Sequence, residues 1–208
     1  MTPEDASRRR GSYPKGQVKR QEIVDAALGV FGSMGWNSGS MREIAKRVGL
    51  TPAGLLHHFK SKEELFAEVL RQRDQKVQAA AGDVTEFHLI DQMRNVVAYN
   101  QTTRGLTSLY TVISAEATAP EHPAHADFAR RYAENATSTT EVLEHAQRDG
   151  LIRDDIDPAH AARLIAAVMD GLQLQWLLDG DIDMSAAFED FLRGYLRPVR
   201  GNQRVSRA

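Results

Sequence analysis

The sequence predicts an all-α fold, and three observations predict it. Apolar residues recur three and four positions apart from about Val18 almost to the end of the chain, the spacing of one helical face. Ser40 and Ser61 are each followed three residues later by Glu, while Thr51 and Asp157 are each followed directly by Pro; both patterns mark helix starts. Runs that alternate apolar and polar residues, as a half-buried strand would, are missing. About nine helices are expected.

In chain order, residues 1–16 are polar, contain Gly11, Pro14 and Gly16, and show no periodicity, so 1–17 is expected to be a mobile basic arm with Arg8, Arg9 and Arg10 available to DNA. The first helix carries Ile23, Ala26, Ala27, Val30, Phe31 and Met34 and ends near Gly35. The second runs over 41–48 behind the Ser40–Glu43 capping box, with Ile44, Ala45 and Val48 inward and Gly49 as its stop. The third covers 51–59, with Thr51 as N-cap and Pro52 in the first turn. A fourth follows Ser61 with Leu65, Phe66, Val69 and Leu70.

A fifth helix is expected over 88–103 and a sixth over 106–118, before Pro120 and Pro123 break the chain. The seventh, over 124–149, aligns Phe128, Tyr132, Ala136, Thr139, Leu143 and Ala146. The eighth runs from Asp157-Pro158 to about Asp179. The ninth follows Asp183 with Met184, Phe188, Phe191, Leu192 and Tyr195 on one face.

Charge is unevenly spread. Residues 1–62 hold 11 Lys/Arg against 5 Asp/Glu, while the rest of the chain holds 15 against 23. A basic first third on an acidic body points to a polyanionic partner for the N-terminal part. Cysteine is absent, which excludes disulfides, thiolate catalysis and cysteine-based zinc sites. No apolar run approaches the roughly 18 residues of a membrane helix, and no apolar h-region follows the N-terminal arginines. A cytoplasmic protein that does not enter the membrane is expected.

The second and third helices, joined by a turn at Gly49-Leu50, form a helix-turn-helix. At about 100° per residue, Leu55 and Phe59 share the inward side of the short third helix. Ala53 and His57 point away from them, Gly54 and Leu56 flank that outer face, and His58 lies nearer the core edge. An outer face this small can enter a major groove: His57 can bond base edges, Ala53 can meet a thymine methyl, and Gly54 lets backbone approach. Free amides beside Thr51 and Pro52 suit a phosphate, as do Arg42 and Lys62 on either side.

The stretch SGSMREIAKRVGLTPAGLLHHFKSKEELFAEVL resembles the DNA-binding domain of the tetracycline-repressor (TetR) family, a likeness spanning roughly residues 18–70. It implies a three-helix DNA-binding domain (18–62), then a helical effector-binding and dimerisation domain (63–198) entered through a connector helix (63–81), with 199–208 as a flexible tail. It also implies a palindromic double-stranded DNA operator and a homodimer. One position departs: at Leu56 the family carries a tyrosine whose hydroxyl meets a phosphate, a bond leucine cannot make. LYTVISAEATAPEHPAHADFARRYAE and DGLQLQWLLDGD are similar to the C-terminal domain of the choline–betaine regulator (BetI) type, without implying choline as the ligand.

The resemblance also implies an effector pocket among the fifth to eighth helices. Tyr99, Tyr110, Glu116, Phe128, Tyr132, Met169, Gln173 and Trp176 are the candidate lining, each with ordinary core or surface packing as its alternative. The eighth helix is apolar on nearly all sides and the ninth carries one stripe. These helices, 158–179 and 184–198, are therefore expected to pair with their copies in a second chain as a four-helix bundle. Adjacent His57 and His58 point about 100° apart, which argues against a shared metal. His122 and His125, near Glu116 and Glu121, are expected in a solvated loop. No cofactor fingerprint, catalytic triad or phosphate loop appears, so the chain is expected not to be an enzyme. The expected function is sequence-specific transcriptional regulation, as a repressor released by a small molecule; an effector-independent regulator or an activator is the alternative.

Overall fold

The computed structural model describes residues 3–82 and 89–196, with side chains from residue 16 onward. The side chains of Arg8, Arg9 and Arg10 and the expected tail at 199–208 lie outside what is described; the backbone from Pro3, expected as part of a mobile arm, is helical. Among the described residues there are nine helices and no strand: α1 Pro3–Ser38, α2 Met41–Arg47, α3 Pro52–Leu56, α4 Lys62–Ala81, α5 Leu89–Thr102, α6 Arg104–Glu116, α7 His125–Arg148, α8 Pro158–Leu178 and α9 Met184–Leu196. The helix at the N-terminus thus starts upstream of Val18. It breaks where expected, at Gly35, whose φ of 73° and ψ of −178° are non-helical.

The predicted caps account for the boundaries. Ser40 Oγ accepts from the Glu43 N–H at 3.2 Å, and Thr51 Oγ1 accepts from the Gly54 N–H at 3.0 Å. Ser61 Oγ accepts from the Glu64 N–H at 3.1 Å, and Asp157 Oδ1 from the His160 N–H at 2.9 Å. Each satisfies an amide that the first helical turn leaves without a partner. At the end of α2, Gly49 takes φ 67°. The Leu50 N–H reaches the Ala45 carbonyl while the Gly49 N–H reaches that of Lys46, a Schellman closure that requires a left-handed residue. α3 is shorter than the predicted 51–59. The His58 N–H turns back to the Leu55 carbonyl at 2.9 Å, and this i→i−3 bond tightens the chain out of the helix.

The chain divides into two compact units. The first comprises Met1–Lys76 with Gly105–Pro123, and the second Val77–Arg104 with Ala124–Ala208. In the first, Ile23, Val24, Ala27, Val30 and Phe31 of α1, Ile44 and Ala45 of α2, and Leu55 and Phe59 at α3 are buried. Leu65, Phe66 and Val69 of α4 and Leu109 and Ile113 of α6 are buried with them. In the second, Val97, Leu143, Ala161, Ala162, Ile165, Trp176, Met184, Phe188, Leu192 and Leu196 form one core. There α8 packs against α5, α7 and α9.

Leu55 is fully buried while its neighbour Leu56 is 48% exposed. Leu55→Ala should therefore cost about 2–5 kcal/mol, the range for core truncations, whereas Leu56→Ala should stay within about 0.5 kcal/mol of wild type. Urea denaturation of the two variants checks the register of α3; similar losses from both would contradict it.

Candidate nucleic-acid interface

The site is built on α3, and its orientation follows from two buried side chains. Leu55 and Phe59 have no exposed surface. Each such burial is worth about 1.5–3 kcal/mol, enough to decide which way a five-residue helix faces. The opposite side presents Ala53, Leu56 and His57 to solvent, with Pro52 and Thr51 exposed at the start and Gly54 and His58 half-buried at the flanks. Every residue assigned from the sequence to the outer face of α3 is exposed or half-buried. Arg42 on α2 and Lys60 in the turn after α3 are exposed.

Two cations that the sequence reading passed over hold this face in place. Lys19 Nζ donates to the Val48 carbonyl at 2.8 Å, closing the end of α2. The Arg20 guanidinium lies 3.8 Å from the centroid of the Phe59 ring, donates to the His58 carbonyl and stands 3.6 Å from Glu64. It joins α1 to the exit from α3 through a cation–π contact and an ion pair together. In the sequence, Lys19-Arg20 reads only as a basic turn on a helix surface; no local pattern reveals partners 29 and 38 residues away.

Lys62 sits deeper than a freely extended phosphate ligand. Its ammonium donates to the Trp36 carbonyl and lies 4.1 Å from the centroid of the Trp36 ring. Burial lowers its pKa, against the opposing pull of Glu63 and Glu116. An ammonium has three donors, so one bond to Trp36 leaves two.

Trp36 is the other residue without a role in the sequence reading, although a tryptophan straight after a helix-ending glycine is a signal. Its ring stacks at a tilt on Phe66, 4.8 Å between centroids, and near Phe31 at 6.0 Å. Its N–H donates to Glu116 Oε2 at 2.6 Å. Glu116, a pocket candidate by sequence, thus lies in the first unit at the end of α1. His122 is 6% exposed, edge-on to Trp36 and Phe66, with Nε2 3.7 Å from Glu116 Oε2. The solvated loop expected there is instead part of an aromatic cluster at His122, because the rings of α1 and α4 give the imidazole a surface to bury against.

The remaining pocket candidates divide. Tyr110 is in the first unit, beneath the Arg73 guanidinium at 4.2 Å. Tyr99, Phe128, Tyr132, Met169, Gln173 and Trp176 are in the second. There Tyr132 is partly exposed and its hydroxyl donates to Asp170 Oδ2 at 2.6 Å. Phe128 and Trp176 are buried, with Arg131 and Arg104 over their rings at 5.6 and 5.3 Å. Gln173 is 5% exposed, and its side-chain oxygen is buried without a hydrogen-bond partner among the described residues. Such an acceptor is costly unless something donates to it. Among the described residues no helix is long and apolar enough to cross a membrane.

Two glycines in this unit separate backbone strain from steric fit. Nothing lies within 4 Å of a Cβ built on Gly49, whereas one on Gly35 would fall 2.2 Å from Glu116 Oε1. Gly49→Ala should cost about 1–2 kcal/mol for its left-handed φ. Gly35→Ala should cost more, since its φ and ψ lie in a region open essentially to glycine alone and the carboxylate must also move. Equal losses in chemical denaturation would argue against the packing of Glu116 on Gly35.

Comparison with known proteins adds to this geometry. Residues 23–69 match the family described as bacterial regulatory proteins, tetR family. Residues 92–199 match the C-terminal domain of BetI-type transcriptional repressors. An HTH-type transcriptional repressor of Mycobacterium tuberculosis is 25% identical over 180 residues, covering 86% of this chain and 94% of that one. The HTH-type transcriptional regulator UidR of Escherichia coli is 28% identical over 182 residues, covering 86% and 92%. In fold, the chain is similar to a transcriptional regulator from Saccharomonospora viridis solved in complex with choline. The TM-score is 0.65 at 21% identity, over 85% of this chain and 96% of that one.

Proposed function

The chain belongs to the TetR family of transcriptional regulators, and from that premise we propose that it is a homodimeric, operator-binding repressor whose hold on DNA is released by a small molecule. The observation that carries the DNA reading is the orientation of α3: burial of Leu55 and Phe59 turns Ala53, Leu56 and His57 outward together. In this reading His57 and Ala53 contact base edges, with Gly54 and His58 beside them. Thr51 and Pro52 bring the first amides of α3 to the backbone, and Arg42 and the free donors of Lys62 bind phosphates. Leu56 supplies apolar contact only.

Residues 18–62 are the DNA-binding part and 63–198 the effector and dimerisation part, with 63–81 as connector and the arm 1–17 as an auxiliary basic segment. The dimer reading rests on α8 and α9. Leu164, Leu174 and Leu178 are 45%, 51% and 82% exposed on α8, and with Ala167 and Gly171 they make a stripe at alternating three- and four-residue spacing. Phe191 and Tyr195 of α9 stack at 5.4 Å and stay half-exposed. An apolar stripe of this length, covered by a second copy, makes an isologous interface.

The effector reading rests on Gln173 and Trp176. A buried amide oxygen with no hydrogen-bond partner among the described residues, three positions before the buried Trp176 on the same helix, suits a largely apolar ligand that carries a donor. The choline of the Saccharomonospora viridis regulator is not carried over, because a guanidinium already covers the Trp176 ring. The ligand must favour a state whose two helix-turn-helix units are wrongly spaced, and a coupling of about 1–3 kcal/mol would lower operator affinity roughly 5- to 150-fold. This is a binding protein with no assigned catalysis, and its work on chromosomal DNA puts it in the cytoplasm.

Selection from a random-sequence duplex library should recover a palindrome with half-sites about one helical turn or a multiple apart; no enrichment would refute operator binding. On the selected duplex, His57→Ala should lose sequence preference as well as affinity. Lys62→Ala should weaken binding to all sequences and reduce the salt slope by roughly one unit. If Lys62→Ala alters base preference while His57→Ala does not, the two roles are misassigned. Sedimentation should show a dimer at micromolar concentration that Leu174→Glu converts to monomer.

A further inference from the structure

The backbone of Trp36 is gripped from two sides. Its N–H is held by Glu116 at the end of α6, and its carbonyl by Lys62 at the first residue of α4. Lys62 lies three residues beyond Phe59, one of the two side chains that orient α3. One peptide segment thus joins α6 to the start of α4 and the exit from the reading helix. The carboxylate also packs against Gly35, where a Cβ would lie 2.2 Å from Oε1, and His122 closes its other side at 3.7 Å.

The connectivity gives this contact leverage. Segment 105–123 packs with the DNA-binding helices, yet the residues before and after it, 77–104 and 124–208, belong to the other unit. Any rearrangement that displaces residues 104 and 124 pulls on a segment anchored to α1 at two points on one face of α6: Ser108 Oγ donates to the Gly32 carbonyl at 2.6 Å, and Glu116 holds Trp36 two turns further on. The Ser108 bond involves neutral groups. The Glu116 bond is charge-assisted, so it is the stronger of the two, and it alone of the two reaches the residue that α4 also holds.

We propose that Glu116 is a positioning residue whose carboxylate latches segment 105–123 onto the end of α1, and that this latch sets which half-site spacing the dimer accepts. The proposal rests on the reading of the chain as a dimeric operator-binding protein. With the latch closed, the reading head moves as one body with α6 and tolerates one spacing. With it open, the head gains freedom and several spacings become nearly equivalent.

The test uses the full-length protein, the duplex that wild type selects, and the same duplex with two base pairs inserted between its half-sites. Wild type should prefer the selected duplex by at least about tenfold, because insertion rotates one half-site away from its partner. Glu116→Ala should bind the selected duplex about tenfold more weakly and prefer it over the expanded one by less than about threefold, the scale of a small coupling energy. Glu116→Gln keeps an oxygen that can accept the Trp36 N–H and should restore the preference. Hydrogen exchange at the Trp36 amide should quicken in Glu116→Ala and not in Glu116→Gln. If Glu116→Ala does not fold, Glu116→Asp, whose carboxylate falls one methylene short, serves in its place. A variant that loses affinity equally on both duplexes, or keeps the wild-type preference, overturns the latch while leaving operator binding intact. Failure of wild type to select any duplex overturns operator binding, and the latch with it.

Discussion

A helix of five residues has no stability of its own in water, since nucleating a turn costs more than its few hydrogen bonds return. α3 therefore exists only because Leu55 and Phe59 are buried and its ends are tied down. Thr51 caps its start, the Gly49 turn delivers it from α2, and Arg20 clamps its exit by covering Phe59 and bonding the His58 carbonyl. The burial that forms the helix also chooses the face it shows. With Leu55 and Phe59 inward, Ala53 and His57 have no direction left but outward. The exposed face of α3 is thus a consequence of core packing, and its chemistry can vary without disturbing the fold.

The same economy shows at Trp36. Its ring belongs to the aromatic cluster with Phe31, Phe66 and His122, while its peptide groups belong to a polar junction with Glu116 and Lys62. Hydrogen bonds to charged groups are worth about 1.5–3 kcal/mol each, and here two meet on one residue. The aromatic cluster excludes water from one side of the junction, and the carboxylate and ammonium lie close enough to attract one another. A junction of this kind gives α1, α4 and α6 a common reference point at the edge of the reading head.

The second unit has a different design. Its core is made from one face each of α5, α7, α8 and α9, but α8 carries more apolar surface than that core consumes. Leucines left 45–82% exposed along one stripe are a poor surface for an isolated chain. Gln173 and Trp176 lie on other faces of the same helix. One helix therefore carries both an exposed apolar stripe and, turned away from it, the buried side chains of Gln173 and Trp176.

Much of this was legible in the residues themselves, because the signals are local. Ser40, Thr51, Ser61 and Asp157 each cap an amide three positions on, so the helix starts follow from short spacings. The inward and outward faces of α3 follow from 3.6 residues per turn, and Gly49 marks its turn through the backbone angle only glycine adopts readily. The surplus apolar surface of α8 was visible in a helix apolar on nearly all sides; which leucines stay exposed was not. What the tertiary structure alone decided is which distant groups meet. Glu116 reads as a pocket carboxylate until α6 brings it to a peptide 80 residues earlier. His122 reads as a loop histidine until the rings of α1 and α4 bury it, and Lys62 reads as a free cation until Trp36 accepts its bond. Caps and faces depend on atoms a turn apart, which the sequence orders directly; these partnerships depend on how helices cross, and that is set by the packing of the whole unit.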